Sequence, residues 1–232
     1  MSSCHKMYKV KSNVTQVIPA KFYPKGNLEK IIGDNDVTIY SYILTTVKYN
    51  NEKGIFQQHG SSPNFEGGAA TLTCCKHRMR TYPNVNGGVW IAGFTHSNGA
   101  GKNYLFYLAQ IERAVSTFSS LANYIGEAAC SKKDSRKNRL GDIYVVKGTS
   151  KNPFDAGNYF EPCDAHVHKL TQWEEDISYT HKGIHPRLIV FDKRNTFVWE
   201  KPIYCSSVLI GRGEKKFDSK EKFIKHLQPA HF

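Results

Sequence analysis

The run from Thr73 to Arg80, TCCKHRMR, carries the densest set of reactive side chains in the sequence. Cys75 precedes Lys76, and neighbouring cations lower the pKa of a thiol and favour a nucleophilic thiolate. Lys76 is the alternative nucleophile, acting through its amine. Lys76, Arg78 and Arg80 are also suited to contact phosphate. An ordinary strand end with solvated basic residues is the other interpretation of this run.

A second candidate for chemistry is Asp142, which follows Gly141 at the start of an apolar stretch. A carboxylate in this place could activate water or stabilise positive charge on a reacting sugar. The alternative is a simple turn aspartate.

Two further patterns give weaker signals. Cys163, His166 and His168 form a C-x-x-H-x-H cluster of zinc-type ligands, although the spacing matches no strong zinc signature. A free thiol with two surface histidines is the favoured interpretation, so no metal and no cofactor is expected. The sequence GAGK at 99–102 is not a phosphate-binding loop, because His96 occupies the place of its first glycine.

The charge of the chain favours a polyanionic partner. The 232 residues carry a formal net charge of +12 and the sequence pI is about 9.4, which is typical of nucleic-acid-binding domains. The stretch 130–139 concentrates basic side chains against a single acid, Asp134. We expect it to be a mobile loop that contacts phosphate, with a solvated linker as the alternative. Its basic residues are Lys132, Lys133, Arg136, Lys137 and Arg139.

These residues need a scaffold of strands and helices. β-branched and aromatic residues predict strands at 37–49, 70–75, 89–94, 104–111 and 141–147, and a hairpin joining 187–191 to 196–200. Helices are expected near 116–124 and at the end of the chain, where Asp218 is the expected cap. The pattern predicts an α+β fold with two or three flanking helices. The sheet is expected to be mixed or antiparallel, with partial closure into a barrel left open.

The sequence predicts two segments along the chain. Residues 1–36 are rich in lysine and read as a basic N-terminal extension, and residues 37–232 read as a single α+β domain. No apolar run approaches the length of about 18 residues that a membrane span needs. We therefore expect a soluble cytoplasmic protein without a membrane partner.

Over about residues 37–147 the chain resembles the nucleotide-modification-associated domains, which occur beside DNA-hypermodification genes and in defence loci. The motifs that carry the resemblance are Tyr-Ser-Tyr at 40–42, Pro-Asn-Phe-Glu-Gly at 63–67, the block 70–80, Gly-Val-Trp-Ile-Ala-Gly at 88–93, the strand at 105–113, and Gly-Asp-Ile-Tyr at 141–144. Two positions depart from the pattern. Ala70 replaces a cysteine and Val89 replaces an aspartate, so roles that need those residues are not carried over.

The spacing of glycines and aromatic residues also resembles that of the small PUA-like and EVE-like barrel domains, which hold a flipped or unpaired base. The two resemblances imply a base pocket, for which the candidates are Tyr42, Asn64, Trp90 and Tyr144. Each of these side chains could instead belong to the core.

The leading hypothesis is a DNA glycosylase that excises a modified base, such as a hydroxymethylated or glucosylated one, from phage DNA. Asp142, Lys76 and Cys75 are its candidate catalytic residues, and Arg80 would hold a phosphate or a decoration on the base. A non-catalytic reader with the same pocket is the second hypothesis. A third is a thiol- or metal-dependent base-modifying transferase built on Cys75 or on the Cys163 cluster.

Overall fold

The computed structural model describes residues 16–17, 28–33, 36–50, 52–96, 102–148, 152–163, 172–199, 203–206 and 213–227. The strands are β1 (Gln16–Val17), β2 (Ile39–Leu44), β3 (Val47–Asn50), β4 (Ile55–Gln58), β5 (Thr71–Leu72), β6 (Trp90–Thr95), β7 (Lys102–Val115), β8 (Leu188–Val198), β9 (Tyr204–Ser206) and β10 (Lys215–Phe217). The helices are α1 (Leu28–Ile32), α2 (His77–Arg80), α3 (Phe118–Ile125), α4 (Glu127–Lys133), α5 (Gln172–Ser178) and α6 (Lys220–Ile224).

The chain forms two compact units that alternate along the sequence. The first unit contains His59–Asn86 and Glu112–Lys193, and the second contains Thr15–Gln58, Gly87–Ile111 and Arg194–Phe232. The long strands β7 and β8 each contribute residues to both units.

A mixed sheet forms the second unit. β2 pairs in parallel with β6, while β10 and β7 add antiparallel neighbours to β2 and β6. β9 pairs with β7, and β1, β4 and β3 form a small separate antiparallel sheet. Every residue of β2 and β6 is buried, as expected of a parallel pair covered on both faces. Their core also includes Phe197, Trp199, Phe217 and Phe223.

Helices and irregular segments dominate the first unit. β5 pairs antiparallel with β8, and Phe118, Leu121, Trp173 and Ile177 from α3 and α5 pack in its core. Thr117 caps α3 by accepting a hydrogen bond from the Ser120 backbone amide at 3.1 Å. This unit contains the runs 73–80 and 130–144 on which the functional hypotheses depend.

The α+β class with a mixed sheet is confirmed. The described residues form six α-helices rather than two or three, of which α1, α2 and α6 have only four or five residues. No helix in the described ranges is both long and apolar enough to cross a membrane.

Several predicted elements were wrong in detail. The strand at 37–49 is split by a turn at Thr45 and Thr46, and the hairpin at 187–200 is one continuous strand, β8. The stretch 130–139 begins as the last turn of α4, so it is only partly a loop. Residues 141–147 form isolated bridges instead of a strand. Ser219, rather than Asp218, caps α6.

Candidate functional site

A buried carboxylate lies at the centre of the first unit. The Asp142 side chain is fully buried, and its Oδ2 accepts hydrogen bonds from Thr71 Oγ1 at 2.7 Å and Thr73 Oγ1 at 2.8 Å. Thr73 Oγ1 also lies 2.8 Å from the Asp142 carbonyl oxygen. The other carboxylate oxygen, Oδ1, accepts no hydrogen bond from the residues that the structure describes. The two threonine hydroxyls therefore bind one carboxylate oxygen, and the other faces a charged neighbour.

Lys133 supplies that charge. Its Nζ lies 3.8 Å from Asp142 Oδ1, and both side chains are completely buried. The ammonium donates to the carbonyl oxygen of Asn64 at 2.9 Å, to Asn64 Oδ1 at 2.7 Å and to Thr71 Oγ1 at 2.9 Å. All three ammonium protons thus have acceptors, as a buried cation requires.

Burial shifts the pKa of both partners towards the neutral form. Burial raises the pKa of Asp142, while Lys133 and the two threonine hydroxyls act against that rise. Burial lowers the pKa of Lys133, and the charge of Asp142 opposes this shift. Each ion therefore depends on the other to remain charged.

Lys133 and Asp142 are brought together by a tight turn of the backbone at Gly141. α4 ends at Lys133, and Ile143 N donates back to the Lys133 carbonyl oxygen at 3.0 Å. A Cβ on Gly141 would lie 2.6 Å from that same carbonyl oxygen and 2.8 Å from the Asn138 carbonyl oxygen. Glycine is needed here because the backbone passes too close for any side chain.

A chain of polar side chains runs from this pair to the surface. Cys74 Sγ lies 3.7 Å from the Asp142 carbonyl oxygen and 3.8 Å from Tyr144 Oη. Tyr144 Oη donates to Asp176 Oδ2 at 2.6 Å, and Asp176 Oδ1 lies 2.7 Å from His77 Nε2. The His77 side chain is 15% exposed while that of Asp176 is 1% exposed. The imidazole is therefore the solvent-facing end of a buried network.

Two of the three predicted catalytic residues, Asp142 and Cys75, are not placed for attack on a sugar. Asp142 has no exposed surface, so a substrate cannot reach it in this conformation. The lowered pKa expected for Cys75 was wrong: burial, with contributions from Cys74 and Asp176, raises it to about 12 despite Arg80 and Lys76. Lys76 is half-buried and has a left-handed backbone, with φ at 55°, just before α2.

Two of the predicted phosphate contacts must be corrected. Lys133 is buried against Asp142. Arg80 is also fully buried, where its guanidinium donates to the carbonyl oxygens of Cys75 at 2.8 Å and Arg187 at 2.6 Å. The ammonium of Lys133 and the Nε and Nη1 groups of Arg80 are thus used by buried acceptors and are not available to a phosphate.

The other predicted phosphate contacts remain accessible. Arg78, Lys132 and Lys137 are exposed, and Arg139 is half-buried. Arg136 is partly exposed but its guanidinium binds Asp134, with Nη2 2.7 Å from Oδ2. Arg136 therefore brings little net charge to the surface.

A concave surface lies beside this basic segment. We call it the α3–α4 groove; it has a volume of about 480 Å3. Its lining residues are Phe118, Ser119, Ala122, Asn123, Glu127, Cys130, Ser131, Asp134, Arg136, Lys137, Ile143, Tyr144, Val145 and Val146. Two basic residues are thus matched by two acidic ones, and aromatic and aliphatic groups are combined with hydrogen-bonding side chains.

The predicted base-pocket residues do not gather within one unit. Tyr42 and Trp90 belong to the second unit, where both are buried. Tyr42 Oη forms a 2.8 Å hydrogen bond with Tyr107 Oη. Asn64 and Tyr144 belong to the first unit, and of the four only Tyr144 lines the α3–α4 groove.

The metal hypothesis finds no support in the described part of the chain. No group of three or more histidine, cysteine or acidic residues there could hold a metal ion. Cys163 is buried, and His166 and His168 lie outside the described residues.

The sequence reasoning missed His77 and Asp176. His77 lies inside the reactive run 73–80, so the sequence alone could have indicated it as a candidate acid or base. Asp176 belongs to the acidic stretch of α5, and only the fold reveals that it lies behind His77.

Comparisons with protein-family models, with curated proteins and with solved structures returned no match.

Proposed function

We propose that the protein binds DNA and recognises a modified base in the α3–α4 groove. The observation that carries this proposal is the composition of the groove, which combines aromatic and hydrogen-bonding side chains beside exposed lysines. The net charge of +12 supports a polyanionic partner. With DNA as the partner, the expected location is the cytoplasm.

The lining suits a nucleobase better than a phosphate. Phe118 and Tyr144, whose ring centroids lie 5.1 Å apart, form the aromatic floor of the groove, although only 4% and 1% of these residues is exposed. Ser119, Asn123 and Ser131 offer donors and acceptors for the edge of a base, and Glu127 can accept from an exocyclic amine. A volume of about 480 Å3 lies within the usual range for a small-molecule pocket.

Phosphate contact falls to the rim of the groove. Asp134 binds the guanidinium of Arg136, whereas Lys137 is exposed and forms no salt bridge within the described ranges. Lys132, also exposed, precedes the buried Lys133 at the end of α4. These lysines would position the DNA backbone while the groove reads the base.

Recognition without catalysis agrees with the state of the predicted catalytic groups. Asp142 is buried and paired, and the Cys75 thiol is protonated at neutral pH because its pKa is about 12. A glycosylase needs a carboxylate or nucleophile that reaches the sugar carbon bonded to the base. Neither group meets that requirement in this conformation.

Base excision is the second candidate, and the His77–Asp176 pair is the observation that favours it. Asp176 binds His77 Nε2 and leaves Nδ1, which forms no hydrogen bond among the described residues, as a general base on the solvent side. Nδ1 would take a proton from the water that attacks the sugar carbon, and the bond to the base would break. Lys76, next to His77, remains the alternative nucleophile.

The test measures DNA binding and product formation together. Duplexes that carry unmodified, 5-methylated, hydroxymethylated or glucosylated cytosine are titrated by fluorescence anisotropy. A reader binds one of them at least about tenfold more tightly than the others, a difference of about 1.4 kcal/mol, and releases no base by mass spectrometry. Base release and alkali-sensitive strand breaks, both lost in Asp176→Asn, would establish the glycosylase instead.

A matched pair of variants locates the binding site. Ser131 lines the groove and Ala128, on the same helix, is exposed and does not line it. Ser131→Trp should abolish the preference for the modified base, because the indole fills the groove, and Ala128→Trp should leave the preference unchanged. Equal effects of the two variants, or equal binding of all four duplexes by the unaltered protein, would contradict the proposal.

A further inference from the structure

We propose that the second unit carries a separate binding site for the phosphates of a nucleic-acid backbone. Its residues are those of β10, α6 and the turn that follows α6, and we call it the lysine groove. This inference relies on the proposed function only in taking nucleic acid as the polymer. It adds a second set of sequence-independent backbone contacts, at a site other than the α3–α4 groove.

Aromatic packing fixes the segment that builds the lysine groove. Phe217 at the end of β10 and Phe223 in α6 are both buried, with their ring centroids 5.4 Å apart. β10 also pairs antiparallel with β2, so its backbone is fixed at the edge of the sheet. The lysines between and beside Phe217 and Phe223 therefore project from a segment whose backbone is held in place by packing and by strand pairing.

The lining of this groove is strongly basic. The groove has a volume of about 360 Å3, and four lysines line it against one aspartate. The lining residues are Lys215, Lys216, Phe217, Asp218, Lys222, Lys225 and His226. The α3–α4 groove, in contrast, has equal numbers of acidic and basic side chains. A concave surface with an excess of positive charge attracts phosphate groups.

His226 holds one of these ammonium groups in place. Its Nδ1 lies 2.6 Å from the Lys222 carbonyl oxygen and donates to it, which leaves the lone pair of Nε2 as an acceptor. Lys215 Nζ lies 2.8 Å from that Nε2 and donates to it. The ammonium group of Lys215 is therefore positioned by the imidazole of His226.

Of the remaining lysines, two form contacts within the protein and two are exposed to solvent. Lys222 forms an exposed 2.8 Å salt bridge with Asp218, and Lys220 donates to the Glu29 carbonyl oxygen at 3.2 Å and to that of Gly33. Lys216 and Lys225 are exposed, and their side chains make no hydrogen bond or salt bridge in the part of the chain that the structure describes. These two lysines are the ones best able to contact a ligand.

The chemistry of the groove favours a polymer backbone over a free phosphate. The cations are lysines, which act as separate point charges, and no arginine offers the two-pronged grip that selects a single phosphate. They are distributed along a strand, a turn and a helix instead of converging on one point. Contacts of this kind fix the position of a backbone and carry no base sequence information.

The test compares two double variants with the same loss of charge. Lys216→Ala/Lys225→Ala removes the available lysines, and Lys48→Ala/Lys53→Ala removes two exposed lysines elsewhere in the same unit. Binding of unmodified duplex DNA is measured from 50 to 300 mM salt. The groove variant should bind about 60-fold more weakly at 0.1 M salt, and its salt slope should fall by about two, because each lost phosphate contact costs about 0.9 in the slope.

The outcomes separate this inference from the proposed function. The groove variant should keep the ratio of affinities for modified and unmodified DNA, while Ser131→Trp should lose that ratio and keep the salt slope. Equal effects of the two lysine variants would overturn the inference, as would a protein that binds no DNA. Saturable binding of inorganic phosphate at millimolar concentration, with no change in DNA affinity, would assign the groove to a free anion and overturn it also.

Discussion

The buried pair of Lys133 and Asp142 leads to a sharp prediction about stability. Lys133→Met keeps the length of the side chain and removes its charge, so Asp142 loses its counter-charge and keeps the two threonine hydroxyls as partners. Removing one member of a buried ion pair costs about 3–5 kcal/mol. At about 2–4 °C per kcal/mol for a chain of this size, the melting temperature should fall by about 6–20 °C.

The double variant Lys133→Met/Asp142→Asn should recover most of that loss. The acceptors that Lys133 abandons keep other donors, since Asn64 Oδ1 accepts from Glu66 N at 2.9 Å and the Asn64 carbonyl oxygen accepts from Thr71 N at 2.9 Å. Neutralising both partners also removes the desolvation cost of two ions. The double-mutant cycle should give a coupling free energy of at least about 2 kcal/mol.

The pH dependence gives an independent check with a definite sign. Lys133 holds down the pKa of Asp142, so that pKa rises further in Lys133→Met. The folded variant then binds a proton more tightly than the unfolded chain, and its stability falls as pH rises from the unfolded value towards the raised folded pKa. The unfolding free energy of Lys133→Met should therefore approach that of the unaltered protein as pH is lowered from 7 to 5.

Urea unfolding followed by circular dichroism measures the unfolding free energies and their pH dependence, and thermal unfolding measures the melting temperature. Lys132→Met, an exposed neighbour on the same helix, is the control and should change the unfolding free energy by less than about 0.5 kcal/mol. The reasoning is refuted if Lys133→Met costs no more than this control, if the two substitutions are additive, or if its difference from the unaltered protein is the same at pH 5 and pH 7.

Three further predictions follow from local geometry. Gly141→Ala should cost about 1–3 kcal/mol in urea unfolding, since the new Cβ would meet the Lys133 carbonyl oxygen at 2.6 Å; an unchanged midpoint would contradict the close approach. Alkylation of Cys75 at pH 8, followed by peptide mass spectrometry, should be about a thousand-fold slower than for a thiol of pKa 9.0 because its pKa is about 12, and should recover in urea. Tyr42→Phe should lower the free energy of unfolding by about 0.5–1.5 kcal/mol, because it loses the hydrogen bond to Tyr107, and should leave DNA affinity unchanged. Weaker DNA binding by this variant would instead support Tyr42 as a base-binding residue.

Local sequence identified the right residues more often than the right roles. Asp142 and Lys133 were both selected, one for catalysis and one for phosphate contact, because their charges are visible in the sequence. Their pairing arises where the end of α4 meets the turn at Gly141, and burial of both side chains follows from that meeting. Single-residue chemistry cannot reveal such a contact.

The failed strand predictions have a similar cause. Residues 143–147 are rich in β-branched and aromatic side chains, but their backbone groups pair with segments 133–135 and 158–160 in isolated bridges instead of a ladder. In β8 the polar triplet Lys193, Arg194 and Asn195 resembles a turn, whereas it is the exposed middle of one long strand. Tertiary partners decided both outcomes, as they often do for strands.

The alternation of the two units along the chain has a practical consequence for dissecting the protein. Because the first unit contains His59–Asn86 and Glu112–Lys193 while the second supplies Gly87–Ile111 between them, any single cut within these ranges divides a unit and leaves neither one whole. A truncation after Lys193 would remove the lysine groove and keep His59–Asn86 and Glu112–Lys193 on one chain, but it would also leave Thr15–Gln58 and Gly87–Ile111 without the last segment of the second unit. The separate contributions of the two grooves are therefore better resolved by point substitutions in the full chain, where both units keep every segment.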